Sequence, residues 1–251
     1  MSTSSTPSDE GKPRDAAYWV QQVSTLKVSR VPTGAMNLNV EGKQVVGPLQ
    51  GFGQMWQKIY RVRLHGTSVR PDEVIKTWKA HFPKFWPAGH HFYGPLTGIA
   101  PGEVVLINSS MPGGIELSTG VLVLYADEES FTLMTPQGHL FAGWITFSAY
   151  EEDDCTVAQI QVLARGNDPI YEAGLRVFMH KAENTFWQRT LQALATHFEV
   201  GDAQVGTETV CLDPKLQWSQ AGNIWHNAGV RTMMYKMSTP VRWIRGRARR
   251  R

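Results

Sequence analysis

The chain has 251 residues, 42% of them hydrophobic and 19% charged, which is enough apolar material for one sizeable core and excludes a wholly disordered polypeptide. Its net charge of +3 is unevenly placed: the last eleven residues hold six arginines and no acid, and removing those six from 25 basic residues leaves 19 against 22 acidic ones, a body of −3. No run reaches the roughly 18 apolar residues of a membrane span, the opening MSTSSTPSDEGKPRD lacks a signal-like apolar stretch, and two cysteines cannot make a disulfide scaffold.

The expectation is one domain with extensions, soluble and cytoplasmic. Residues 1–14 are low-complexity Ser, Thr, Pro and Asp and are expected to be disordered. Residues 15–50 carry scattered apolar positions and read as an irregular lead-in. From Met55 to Leu64 the chain alternates, with Trp56, Tyr60, Val62 and Leu64 on one face and Gln57, Arg61 and Arg63 on the other, the pattern of a half-buried strand. A helix follows, opened by Pro71, Asp72 and Glu73, continued by Val74, Ile75, Trp78 and Phe82, and stopped by Pro83 and Pro87. Five β-branched or aromatic runs come next: Glu103–Asn108, Gly120–Ala126, Phe131–Thr135, Phe141–Tyr150 and Thr156–Ala164. Short turn-forming segments at 112–114, 127–130, 136–139 and 151–154 separate them, and connections this short permit only antiparallel neighbours.

The strongest helical signal starts at Asp168, an N-cap with Pro169 behind it, and runs through Tyr171, Leu175, Phe178, Met179, Phe186, Leu191 and Leu194 to Phe198. Gly201 ends it. The order of elements predicts an α+β fold, a curved antiparallel sheet wrapped on one long helix over residues 51–200, with a pocket between them. Residues 201–251 form a C-terminal extension, weakly helical around Trp218 to Tyr235, that ends in the basic-aromatic tail.

The segments Phe131-Thr-Leu-Met-Thr-Pro-Gln-Gly-His139, Gly143-Trp-Ile-Thr-Phe-Ser148 and Ala164-Arg-Gly-Asn-Asp-Pro169, set in this order of elements, resemble the START-like, helix-grip superfamily, also called SRPBCC, and within it a domain-of-unknown-function branch. The resemblance covers roughly residues 50–200, about three-fifths of the chain. It implies a deep, mostly apolar cavity between sheet and helix. The superfamily spans lipid and polyketide binders, cyclases and dehydratases, so the resemblance informs fold more than chemistry.

Within that fold, Trp56, Tyr60, Thr135, His139, Trp144, Phe147, Ile160, Gln161, Arg165, Tyr171 and Phe178 are the candidate ligand-binding residues. Arg165 would anchor an anionic or carbonyl head group, and His139 would donate or accept a proton. The competing reading pairs Arg165 with Asp168 or Glu172 as a strand-to-helix tie and leaves His139 to complete a turn; it needs fewer assumptions. Whether Trp144 or Phe147 points inward is left open by a strand apolar on both faces.

Other motifs carry less. His90 and His91 are adjacent, and on an extended chain they point to opposite faces, so no metal is expected. Cys155 follows four acids, Glu151, Glu152, Asp153 and Asp154, which disfavour a thiolate. No phosphate-binding glycine loop is present, and no cofactor is expected. Arg242, Trp243, Arg245, Arg247 and Arg249 read as a contact for an anionic membrane surface, making the protein peripheral there. Nucleic acid is disfavoured, because the body is net acidic.

Three functions therefore stand at this point. The first is a non-catalytic binder of a lipid-like or polyketide-like small molecule. The second is a cyclase, dehydratase or hydrolase acting on the same ligand class with His139 as acid/base. The third is an interaction protein whose cavity is collapsed.

Overall fold

Alternation of apolar and polar side chains makes β1 (Met55–Arg63) a strand, with Lys58, Tyr60 and Val62 buried on one face. This computed structural model describes residues 16–94, 98–111 and 114–248, without the side chains of residue 115 and of 239–248. After β1 comes α1 (Pro71–His81), with Pro71 in the first turn and the Arg70 backbone N–H donating to Glu73 Oε2 at 3.1 Å. It buries Val74, Ile75 and Trp78, and the 3₁₀ turn Phe82–Phe85, holding Pro83, ends it.

A meander follows: β2 (His90–Tyr93), β3 (Val104–Met111), β4 (Ile115–Ala126), β5 (Ser130–Met134), β6 (Phe141–Glu152) and β7 (Cys155–Gly166). The four acids expected in a turn occupy the β6–β7 hairpin. Asp153 and Asp154 sit there at φ 51° and 55°, the left-handed pair that a two-residue hairpin loop requires.

Asp168 caps the next helix as expected, its Oδ1 accepting from the backbone N–H groups of Ile170 and Tyr171 at 2.8 and 3.1 Å. α2 (Pro169–Gly174) runs through a π-turn at Leu175–Met179 into α3 (His180–His197) without a break, a rod about 44 Å long at 1.5 Å per residue. Then come β8 (Val205–Asp213), a 3₁₀ segment at Trp218–His226 and α4 (Ala228–Ala248).

The strands form one curved antiparallel sheet in the order β2-β3-β4-β5-β6-β7-β1-β8. One face is covered by α1 and α3, and Tyr60, Val62, Trp78, Phe82, Phe131, Phe147, Ile160, Leu191 and Leu194 form the main core there. Phe131 and Phe147 stack at 4.6 Å, and Trp78 and Phe82 meet Phe147 edge-on. Removing this much aromatic surface from water is the dominant stabilisation of the fold. The outer face carries Leu106 and Leu122, covered by Leu26 and Val40 from the lead-in.

The sheet therefore has two strands beyond the expected six. β2 is only four residues long. β8 falls inside the expected C-terminal extension, where it pairs with β1 from Val62↔Val205 to Met55↔Asp213. The rest of the extension also packs on the body. Ala228 sits against Leu117, Leu140 and Tyr171, and Thr232 Oγ1 accepts from the Ser118 backbone N–H at 3.2 Å on the outer face of β4. The lead-in is irregular as expected, yet it is pinned: Asn39 Nδ2 lies 2.8 Å from Ser118 O and 3.1 Å from Thr232 Oγ1. The expected disorder of 1–14 lies outside the described residues.

Candidate functional site

Between β1 and α3 lies a polar cluster in which Lys58 and Tyr60 are buried and His180, Glu183 and Asn184 are part-buried. The pleat of β1 turns Trp56, Lys58 and Tyr60 toward the helix. On α3, His180, Glu183 and Asn184 fall at i, i+3 and i+4, one face of the helix. Lys58 Nζ donates to Glu183 Oε2 at 2.6 Å, to His180 Nδ1 at 3.0 Å and to Asn184 Oδ1 at 3.3 Å. Those three acceptors use all three protons of the ammonium. Tyr60 Oη donates to the same Asn184 Oδ1 at 2.7 Å, and Trp56 packs edge-on against the His180 ring at 5.1 Å.

Burial sets the electrostatics. Desolvation, then the Lys58 charge, draws His180 down to about 4, so near neutrality its ring is uncharged and Nδ1 is free to accept. Burial pushes the Glu183 carboxyl up, while the Lys58 charge and hydrogen bond pull it back. Burial, then the Glu183 charge, raises the Tyr60 phenol, which stays protonated. The arrangement is an ion pair, Lys58 and Glu183, whose side chains are 2% and 8% exposed, flanked by neutral donors and acceptors; withdrawal from water strengthens charged hydrogen bonds.

Beside the cluster is a cavity of about 10 Å³, bounded by Trp56, Phe141, Val162 and Leu175 together with Lys58 and His180. That is room for about one water. Among the described residues the aromatic core packs between sheet and helix, and the cavity beside the cluster is far smaller than the deep one implied by the resemblance.

The eleven expected ligand-binding residues divide. Trp56 and Tyr60 belong to the cluster, and Phe147 and Ile160 are core on the helix-covered face. Trp144 lies on the opposite face of β6 from Phe147, near Gly47 of the lead-in, which answers the question left open above. Gln161 pairs in register with Ile59 and Thr146 and so shares the outer face. Thr135 Oγ1 accepts from the Gly143 backbone N–H at 3.0 Å and ties β5 to β6. Phe178 is 45% exposed, because the π-turn shifts the helical phase by about one residue and rotates it off the buried face.

Arg165, His139 and Tyr171 gather at one end of the sheet, as expected of a rim, but residues 214–229 close that end. Arg165 donates to Asp213 Oδ2 at 2.5 Å and to the carbonyls of Gly53 and Lys215 at 2.9 and 3.1 Å. It ties this end of the sheet through Asp213 rather than Asp168 or Glu172, and it also borders the cavity beside the cluster. Asp168 instead accepts from Asn227 Nδ2 at 2.8 Å, and Glu172 pairs with Arg176. Tyr171 Oη accepts from the Gly229 backbone N–H at 2.8 Å. His139 Nδ1 accepts from the Phe141 backbone N–H at 3.0 Å, and burial lowers its pKa to about 4. It does not line the cavity.

His90 packs on Phe186, and His91 lies toward Tyr93. No group of three metal-ligating side chains occurs among the described residues. Arg249 and the side chains of Arg242, Trp243, Arg245 and Arg247 lie outside the description.

The cluster was missed in the sequence although its signal was there. Lys58 has the same parity as Trp56 and Tyr60 on a strand whose other basic residues alternate outward, and an inward lysine needs a buried acceptor. His180, Glu183 and Asn184 supply it at helical spacing.

No family model and no curated protein matches the chain. Solved structures do resemble it. Ara h 8.0201 aligns at 12% identity over 58% of this chain and 98% of its own, with a TM-score of 0.43. The di-domain ARO/CYC StfQ from the steffimycin biosynthetic pathway aligns at 11% identity over 58% of this chain and 51% of its own, with a TM-score of 0.45. Ginseng major latex-like protein 151 from Panax ginseng aligns at 13% over 58% and 99%, with a TM-score of 0.39. The chain has an α+β helix-grip fold. Strand order and the long helix laid across the sheet are what define it here.

Proposed function

We propose that the protein binds a small, mainly apolar molecule between sheet and long helix, with an anionic or carbonyl end of that molecule seated against Lys58. The observation that carries this reading is the cluster of buried Lys58 and Tyr60 with part-buried His180, Glu183 and Asn184 beside a cavity. Dry cations are costly in a core whose only task is packing, and His180 and Asn184 are neutral acceptors that a ligand oxygen can replace. The route of entry is the π-turn Leu175–Met179, which borders the cavity through Leu175; π-turns are frequent at functional sites. The names of the similar structures, which include two ARO/CYC di-domains from biosynthetic pathways, agree with a small-molecule role without specifying one.

The collapsed-cavity reading has an observation of its own, since the cavity holds about one water. The enzymatic reading built on His139 loses ground, as the ring is engaged by the Phe141 backbone. Membrane contact by the C-terminal segment is independent of both, because it uses none of these side chains.

Native mass spectrometry of protein purified from its own host tests the binder reading directly: a stoichiometric lipid-like or polyketide-like molecule should be released on denaturation. In parallel, the protein should take up both anilinonaphthalene sulfonate and neutral N-phenylnaphthylamine. The double variant Lys58→Met, Glu183→Leu should lose about tenfold or more in affinity for the anionic probe alone. A protein that releases nothing and takes up neither probe has a filled core, and the collapsed-cavity reading replaces this one.

A further inference from the structure

α4 docks through one side and leaves another bare. Ala228 and Thr232, one turn apart, are fully buried, and Arg231 and Lys236 are held by Asn39 and Glu116. Met233, Met234 and Met237 are 51%, 63% and 72% exposed. At 3.6 residues per turn, Val230, Met233, Met234 and Met237 share one stripe, roughly opposite the line through Ala228 and Thr232. The same repeat carries that stripe on through positions 241 and 244, valine and isoleucine in the sequence.

The charge on the helix itself has one sign, and Glu116 of β4 is paired with one of its cations, Lys236. Residues 214–251 contain no aspartate or glutamate, and residues 228–251 contain Arg231, Lys236, Arg242, Arg245, Arg247, Arg249, Arg250 and Arg251. On the helical repeat, positions 231 and 245 flank the apolar stripe on one side, and 236 and 247 on the other. A soluble helix normally turns its apolar stripe to the core. This one turns a stripe outward between two cationic borders, the pattern of a helix lying in the plane of a membrane interface. Trp218 and Trp225, exposed on the preceding 3₁₀ segment, add side chains suited to the headgroup layer.

We infer that α4 is a membrane-docking helix that seats its Val230–Met233–Met234–Met237 stripe in the surface of an anionic bilayer. This moves the contact from the basic-aromatic tail that the sequence suggested to the apolar stripe, which enters the acyl boundary while the basic residues of the same segment attract the headgroups. Charge selects the occupant. A second copy of this helix would bring the same basic residues against their equals, whereas an anionic leaflet attracts each basic residue near its surface. Because no terminal arginine is needed to expose the stripe, apolar insertion and electrostatic attraction can be removed separately.

The test is flotation of the full chain with vesicles of phosphatidylcholine alone and of phosphatidylcholine mixed with phosphatidylserine. The protein should float with the mixed vesicles and much less with the neutral ones, and high salt should weaken but not abolish binding. Met233→Ser with Met237→Ser should lower partitioning about tenfold or more at unchanged circular dichroism and thermal stability, since both side chains are exposed. Replacing Arg249, Arg250 and Arg251 by Gln should weaken the preference for phosphatidylserine without removing it, since Arg231, Lys236, Arg242, Arg245 and Arg247 remain. Absence of flotation with either vesicle overturns the inference. So does undiminished flotation of the methionine variant, which would reduce the contact to the arginines alone. A dimer in sedimentation velocity that the methionine substitutions dissolve would give the stripe to a second copy. None of these outcomes depends on whether the sheet–helix site binds a ligand.

Discussion

Replacing Lys58 by Met isolates the energetics of the polar cluster. The substitution keeps most of the side chain's volume and removes its charge, stranding a Glu183 carboxylate whose side chain is 8% exposed against a lysine at 2%. Surface screening therefore offers no relief, and breaking such a pair costs about 3–5 kcal/mol at neutral pH. The loss should depend on pH with a defined sign. With Lys58 gone only burial acts on Glu183, so its folded pKa rises further above the ordinary 4.5. A carboxyl raised in the folded state favours the protonated form. The variant should thus be nearest the parent in acid, and its deficit should grow as pH climbs through the raised value. Urea unfolding followed by tryptophan fluorescence, at about pH 5 and about pH 8, reads both quantities. The double variant Lys58→Met, Glu183→Leu should recover to within about 1–2 kcal/mol of the parent. A single-variant loss below about 1 kcal/mol, the value of a solvated pair, would refute the reasoning, as would a double variant no more stable than the single one.

Two further outcomes are expected. Asp168→Ala removes the cap of the long helix and the partner of Asn227; it should cost about 2 kcal/mol in urea unfolding, with Asp168→Asn restoring the cap but not the Asn227 bond, and so only part of the loss. Asp213 is held below the ordinary carboxylate value of 3.8, first by its hydrogen bond from Arg165, so its contribution is present above that value and lost as pH falls through the folded one. Asp213→Asn should therefore destabilise the protein near neutrality, and the gap from the parent should close in the acid limb of a pH titration.

The parts of this fold that were legible in the sequence are those whose signals are local. β6 and β7 announce themselves by β-branched and aromatic runs on either side of an acidic turn, and the long helix by Asp168 and Pro169. β8 was not legible: its nine residues VGTETVCLD lie on an edge, mostly exposed, and only pairing with β1 across the whole domain makes them a strand. The π-turn hides for a different reason. One extra residue in a turn leaves composition untouched but changes which side chains face inward, so Phe178 was expected inside and stands outside. At the site, the aromatic members Trp56 and Tyr60 were read correctly as inward. Lys58 between them was passed over because a lysine on a strand is usually solvated. For Arg165 the sequence offered both a ligand anchor and a tie to Asp168 or Glu172; the partner it has, Asp213, lies in the segment read as an appendix.

The position of β1 orders the assembly of the molecule in time. Among the described strands it is the first in the chain, yet both of its neighbours come late, β7 ending at Gly166 and β8 at Asp213. The Asn39 tie closes only when Thr232, 193 residues further on, is in place. Contacts so distant along the chain are slow to form. While the chain emerges from a ribosome, the early segments therefore wait with an unpaired strand edge and uncovered apolar side chains, the condition in which folding intermediates aggregate. Lys58, Arg61 and Arg63 on that waiting strand are charges of the kind that keep an open edge from pairing with a neighbouring chain.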